Sequence, residues 1–402
     1  MKIIYAVLTA ALLSACHPKT PDDAPKAAYA PSAHQPTVPE LTALGRAMFV
    51  EPSLSASGRT SCASCHSPDN AFSPNNNLAV QLGGGDGRTE GTRAAPSLRY
   101  IQNVPAFTEH YHDDDGDDSV DAGPTGGHNW DGRVQTAHEQ ALGPLLSPRE
   151  MGNKDEAAVL AKLKAGPLAP QFRKVFGEDV FERPRAAMQG ALMALEVFQE
   201  SPAEFYPYTS KYDAFLRKQT TLSAQELRGM QLFNDETKGN CASCHIGRIS
   251  PGGVFPQFTD YGLINIGVPR NRQLAVNADP AYYDLGLCGP DRTDLKDHKE
   301  YCGAFKTPSL RNVALRKVFF HNGSFTSLEQ VIRFYVTRDT TPQKWYQGGR
   351  KFDDQPAGMD ANVNREAPFG GKPGDKPTLN EREIADMVAF LKTLTDGYQV
   401  KN

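Results

Sequence analysis

The sequence predicts a mainly α-helical protein with long loops, little β-structure and two halves that repeat one another. Periodicity carries the helical part. Between residues 187 and 199, Met188, Leu192, Leu195 and Phe198 recur near the helical period. Asn380, with Glu383 three residues on, opens a last helix whose buried stripe is Ile384, Val388 and Leu391. Ser223 and Glu226 spell a capping box for another. Connections rich in Gly, Pro and Asp separate these runs. The repeat is the second observation. Leu41-Thr-Ala-Leu-Gly-Arg-Ala-Met-Phe49 and Ser223-Ala-Gln-Glu-Leu-Arg-Gly-Met-Gln-Leu-Phe233 each stand a short loop before the same pentapeptide. The pentapeptides are Cys62-Ala-Ser-Cys65-His66 and Cys241-Ala-Ser-Cys244-His245; Ala95-Pro-Ser-Leu-Arg99 follows one and Thr307-Pro-Ser-Leu-Arg311 the other.

C-x-x-C-H is the attachment signature of c-type haem. Two thiols one helical turn apart can form thioethers with the two vinyl groups of one porphyrin, and the adjacent His becomes the proximal iron ligand. A zinc knuckle or redox dithiol would also use C-x-x-C, but neither requires His after the second Cys, twice. The motifs therefore predict two covalently bound c-type haems, with Cys62, Cys65 and His66 holding one and Cys241, Cys244 and His245 the other. The halves become two cytochrome-c-like haem domains related by internal repeat, residues 41–215 and 216–402.

The 402-residue chain carries 43 Lys and Arg against 47 Asp and Glu, interspersed, for a net charge of −4. A nucleic-acid footprint needs a basic patch or stripe, so nucleic acid is not a predicted partner. Residues 1–15 read as an export signal: Lys2, an apolar run over residues 3–13, then small residues. Leu13-Ser14-Ala15-Cys16 resembles a bacterial lipobox, which implies cleavage before Cys16 and a lipid on its thiol; an ordinary cut near Ala15 is the alternative. Residues 16–40, rich in Pro and Ala, form a flexible linker behind that anchor. No later stretch reaches the roughly 18 apolar residues of a spanning helix. The expectation is a periplasmic protein tethered to the outer membrane, touching lipid only through its anchor. Of seven Cys, four hold haem and one carries lipid. Cys288 and Cys302 remain in an oxidising compartment and read as a disulfide, with two free thiols the alternative.

A haem enzyme differs from a haem wire by an open iron site with acid–base help. The remaining His, Met and Tyr residues are too many for spacing to choose distal ligands. Glu150 stands in Ser147-Pro-Arg-Glu150, which also spells an N-cap, a first-turn Pro and a capping-box Glu. Tyr335 closes a stripe of Leu328, Val331, Ile332 and Tyr335, and on the residues alone could be core. Trp130, one of two Trp, could be a buried aromatic. Asp113-Asp-Asp-Gly-Asp-Asp118 lacks the Gly position and final Glu of an EF-hand and reads as a solvated loop.

From about residue 41 onward the chain resembles the bacterial di-haem cytochrome c peroxidase superfamily, and most closely its MauG branch. In the first half the resemblance rests on Leu54-Ser55, the first haem motif, Trp130-Asp-Gly-Arg133, Gly143-Pro-Leu-Leu146 and Pro148-Arg-Glu-Met-Gly152. In the second it rests on the second haem motif, Phe258-Thr-Asp260, Asn265-Ile-Gly267, Thr307-Pro-Ser-Leu-Arg-Asn312 and His321-Asn-Gly323. It implies that hydrogen peroxide reacts at the haem on His66, that Glu150 is the distal acid–base catalyst, that Gln140 lines the distal pocket and that Trp130 relays electrons between the haems. The peroxidase branch carries a distal His before the Ala95-Pro-Ser segment. Here residues 83–93 contain none, which implies an open first iron, although His110, His112 and His128 could still supply a ligand. The family's inter-haem calcium uses an Asn where this chain has Ala94, so the resemblance gives calcium no firm ligand.

The second haem separates the branches. Classical peroxidases place a Met fourteen residues after the His of H-x-G; counting from His321 gives Tyr335, the ligand type of MauG, with Met359 the rival. A phenolate stabilises oxidised iron, whereas a thioether raises the potential. The resulting expectation is a di-haem peroxidase that stores its second oxidising equivalent on a Tyr335-ligated haem and passes it to an electron-donor or substrate protein in the periplasm. The alternatives are an ordinary cytochrome c peroxidase, marked by a low-spin His/Met haem, and a non-catalytic electron-transfer cytochrome with both irons capped.

Overall fold

A computed structural model describes residues 35–111 and 123–400. Residues 1–34, with Cys16 and the export signal, and residues 112–122, with His112 and the acidic run, lie outside the described residues. Two hydrophobic cores organise the rest. One gathers residues between Leu41 and Phe205, the other between Tyr212 and Leu394.

Each core is built on one crossed pair of helices. The helix Val38–Val50 starts at a Thr37–Glu40 capping box and packs across Pro184–Gln199. The helix Ala224–Asn234 starts at the Ser223–Glu226 capping box and packs across Glu381–Lys392, itself opened by Asn380 and Glu383. Caps satisfy N–H groups that the first turn cannot, and the helices at Ala224 and Glu381 begin where the sequence places them. The crossings are close because glycine stands at each. A Cβ on Gly45 would run into the Ala194 carbonyl, and one on Gly229 into the Asp386 carbonyl. One turn on, Phe49 meets Phe198 edge-on at 5.4 Å, and Phe233 meets Phe390 at 5.2 Å.

β-Structure is confined among the described residues to two antiparallel pairs of two-residue strands. Leu82–Gly83 pairs with Thr89–Glu90, and Leu263–Ile264 with Phe305–Lys306. A third, small cluster of Leu263, Leu287, Leu295 and Ala304 packs with Phe107 of the first half. Cys288 and Cys302 are joined by a disulfide at its edge.

A division at 215/216 cuts the helix Lys211–Leu216, and the packing shows why it belongs whole to the second half. Tyr212 meets Phe258 and Phe390. Asp213, fully buried, pairs with both Arg311 nitrogens at 2.9 Å. The halves are also tied across their seam: Asp396 accepts from the Tyr100 hydroxyl at 2.7 Å, from Arg99 at 3.0 Å and from Asn312 at 2.7 Å.

Replacing Gly45 or Gly229 by Ala should destabilise the protein by about 1–3 kcal/mol, the usual cost of overpacking. Gly143→Ala, where a Cβ would meet open space, should leave the melting temperature unchanged. Thermal melts of the three variants make the comparison, and equal melts would refute the crossing argument.

Candidate active site

The two C-x-x-C-H motifs sit in matching cradles. His66 Nδ1 lies 3.2 Å from the Phe72 carbonyl, and His245 Nδ1 2.9 Å from the Phe258 carbonyl. A carbonyl can only accept, so each Nδ1 carries the proton and each Nε2 keeps its lone pair free. Phe72 and Phe258 both adopt left-handed backbone angles, φ 53° and 55°, uncommon for a bulky residue. The turn each makes is held from behind. Ser97 Oγ donates to the Ala71 carbonyl and Ser309 Oγ to the Gln257 carbonyl, both at 2.6 Å. Leu98 N–H and Leu310 N–H reach the Phe72 and Phe258 carbonyls, both at 3.3 Å. The Pro-Ser-Leu-Arg segments thus fix the carbonyls that fix the imidazoles.

These residues fit a haem in each cradle. Burial pushes His66 down to about 4, against the pull of the Phe72 and Pro96 carbonyls, and lowers His245 as well; the neutral imidazole is the ligating form. Cys62 and Cys241 are pushed up to about 12, and Cys65 and Cys244 to about 11, chiefly by burial. All four are unpaired thiols. Among the described residues no group of three His, Cys, Asp or Glu side chains is arranged to hold a metal ion, which zinc knuckles would require.

The second motif opens on a cavity of about 300 Å³ lined by Cys241, Cys244, His245 and Tyr335. The stripe of Leu328, Val331, Ile332 and Tyr335 on the helix Leu328–Thr337 forms one wall. The same residues that pack the helix therefore face the hollow, so the stripe does not compete with ligation. Tyr335 stacks on Phe369 with ring centres 5.1 Å apart. Burial and the neighbouring Cys244 and Cys241 hold its phenol well above the ordinary range, against Arg338; a phenolate there needs a cation in the hollow. Met359 does not line the cavity. From the first half, Trp130, Gln140 and His128 do. Trp130 Nε1 donates to the Ala94 carbonyl at 2.8 Å, and its own carbonyl accepts from Lys306 N–H at 2.8 Å. Gln140 Nε2 donates to Asn129 at 3.2 Å. Burial and Lys306 push His128 down to about 4.

Glu150 belongs to a different group, beside Cys62 and Cys65, whose thiols its charge disfavours ionising. Residues 147–151 form a turn rather than a helix start; the next helix, Glu156–Ala165, is capped by Asp155. Glycine makes the turn's packing possible. Gly84, at φ 78°, donates its N–H to the Glu150 carbonyl at 2.6 Å, and a Cβ on Gly83 would stand 2.5 Å from that same oxygen. The Glu150 side chain borders open space in the polypeptide, yet the protein around that space raises its carboxyl; Arg133 opposes the shift and Asp291 reinforces it. Met151, its neighbour, is buried in the first core.

Known proteins share this arrangement. The family described as di-haem cytochrome c peroxidase matches residues 39–221. The methylamine utilization protein MauG of Paracoccus denitrificans is 34% identical over 380 residues, covering 90% of each chain. The chain belongs to the di-haem cytochrome c peroxidase family. The cytochrome c551 peroxidase of Nitrosomonas europaea is 26% identical over 89% of this chain and 80% of its own. The crystal structure of the diheme peroxidase BthA from Burkholderia thailandensis superposes with a TM-score of 0.80 and 37% identity, over 91% of this chain and 88% of that one. Membership makes this an enzyme, a di-haem oxidoreductase, and implies two haems for the two cradles.

Among the described residues, the position where the resemblance places a calcium ligand does not fit one. Ala94 offers a methyl where the resemblance puts an Asn, the Ala94 carbonyl is taken by Trp130, and the Ala95 carbonyl accepts from Arg316 at 3.2 Å. A charged cluster that leaves no local pattern in the sequence braces Trp130. Arg93 joins Asp131 at 2.6 Å to Asp284 at 2.6 and 2.7 Å, and Arg133 reaches Asp131 at 2.7 Å. Asp131 is wholly buried, and the two guanidinium groups supply its carboxylate with hydrogen bonds there. The Trp-Asp-Gly-Arg motif named the residues, but its partner Asp284 lies far along the chain.

Proposed function

We propose that this enzyme reduces hydrogen peroxide at a haem thioether-linked to Cys62 and Cys65, and shares the second oxidising equivalent with a haem linked to Cys241 and Cys244. One observation carries the reading: two like cradles face unlike surroundings, a carboxyl beside the first and a buried phenol across the hollow from the second. When bound, the haems supply the electron-transfer chemistry, for which H₂O₂ takes two electrons and two protons to give two waters. Glu150 takes a proton from peroxide and returns it to the departing oxygen; its raised carboxyl suits a group that must both accept and release. Gln140, held by Asn129, lines the same hollow as Trp130. Trp130, fixed at its indole nitrogen and its carbonyl, lies in the hollow between the two motifs and relays electrons. With a haem bound on His245, Tyr335 would be the residue to offer it an anionic oxygen, and the stacked Phe369 keeps the ring from swinging out. The electrons come from a donor or substrate protein in the periplasm.

Glu150 must be ionised to accept the first proton, so peroxide turnover should rise with pH through a value above the ordinary carboxyl range. Glu150→Gln should abolish turnover and leave both haems attached, and unchanged turnover would remove Glu150 from this role. A peroxide titration of the as-isolated diferric protein tests the whole reading. A long-lived spectral change without prior reduction is expected; activity only after half-reduction would favour an ordinary cytochrome c peroxidase, and no change at either haem a pure electron carrier. The lipobox ending at Cys16 supports an outer-membrane tether. Cys16→Ser should move the protein from the membrane fraction to the soluble periplasm, and an unchanged distribution would contradict a lipid anchor.

A further inference from the structure

Buried guanidinium groups in this protein are paired. Arg311 holds Asp213, Arg338 holds Asp339, Arg270 holds Asp354, and Arg93 holds Asp131 and Asp284. Arg316, partly buried, has no such carboxylate partner among the described residues. It follows a short helical turn, Val313–Leu315, in the second half and lines the cavity between the two halves. Its one described hydrogen bond goes from Nη2 to the Ala95 carbonyl of the first half at 3.2 Å, and no carboxylate among the described residues forms an ion pair with it. Burial alone, with no anion opposing, pushes it down to about 10. A partly buried cation without a carboxylate partner is costly to keep, and this one lines the space open between the halves.

We propose that Arg316 is the counter-charge for a propionate carboxylate of the haem held by His66, so that the second half supplies an anchor for the first half's cofactor. The inference rests on the proposed haem at His66. A guanidinium suits the role because its planar fork can meet both carboxylate oxygens, which an ammonium cannot. Its hydrogen bond to Ala95 fixes one edge of the fork on the segment just before Pro96, whose carbonyl faces His66. A fixed positive charge beside a propionate disfavours the ferric state and raises the reduction potential of that haem. Arg316 is thereby a positioning residue that also tunes the first iron, and it links that tuning to the seam between the halves.

The test uses the full-length holoprotein and spectroelectrochemistry that resolves the two haems. A pyridine haemochrome assay on the wild type first establishes two c-type haems; their absence would sink the underlying reading rather than this one. Arg316→Gln should shift the first haem's ferric/ferrous equilibrium at least tenfold toward ferric, about 59 mV for one electron, and leave the second within twofold. Arg316→Lys should recover most of that shift. An unchanged first potential in Arg316→Gln, or a drop at the haem on His245 instead, would overturn the assignment. Should Arg316→Gln not fold, resonance Raman of Arg316→Lys decides the matter: replacing the fork by a point charge should move the propionate bending band of the first haem, and an unmoved band refutes the pairing.

Discussion

Two backbone carbonyls set the chemistry of this protein. Phe72 and Phe258 each turn through a left-handed conformation to aim an oxygen at a histidine Nδ1. That bond fixes the tautomer and the ring plane, and with them the direction of the free nitrogen. Around it each half repeats the same bracing: a serine hydroxyl on the preceding carbonyl, a leucine amide on the same oxygen, and a phenylalanine packed against the crossed helix pair. The strain of two left-handed phenylalanines persists because the surroundings over-determine them.

What differs between the halves is the far side of each cradle. The first faces a turn whose backbone is seated on Gly83 and Gly84, which presents Glu150. The second faces a helix stripe that ends at Tyr335. The proximal geometry can therefore be common to both while the chemistry diverges. The seam carries the connection: Trp130 from the first half is clasped by Lys306 N–H from the second, and Arg316 from the second reaches Ala95 of the first.

Much of this was legible in the sequence, for identifiable reasons. Helix starts were readable because capping is local: Ser223 with Glu226 and Asn380 with Glu383 form their boxes as spaced. The haem motifs were readable because their chemistry demands one spacing. Local pattern misleads at Ser147-Pro-Arg-Glu150, where capping chemistry is present but the chain turns, because the loop at Gly84 claims the Glu150 carbonyl. The helix Lys211–Leu216 could not be assigned to a half from sequence, since its allegiance lies in the Asp213–Arg311 pair, 98 residues apart. Longer separations, 191 and 221 residues, hide Asp284 from Arg93 and Arg316 from Ala95. Charges that meet across the seam leave no periodic trace in the chain.

The central claim is that like proximal cradles serve irons with unlike distal faces. Low-temperature electron paramagnetic resonance of the as-isolated, fully oxidised protein tests it most directly. The account predicts one high-spin ferric signal from the haem on His66, convertible to low-spin by cyanide, beside one low-spin signal that Tyr335→Phe removes. Two low-spin signals, or a second haem indifferent to Tyr335→Phe, would contradict it.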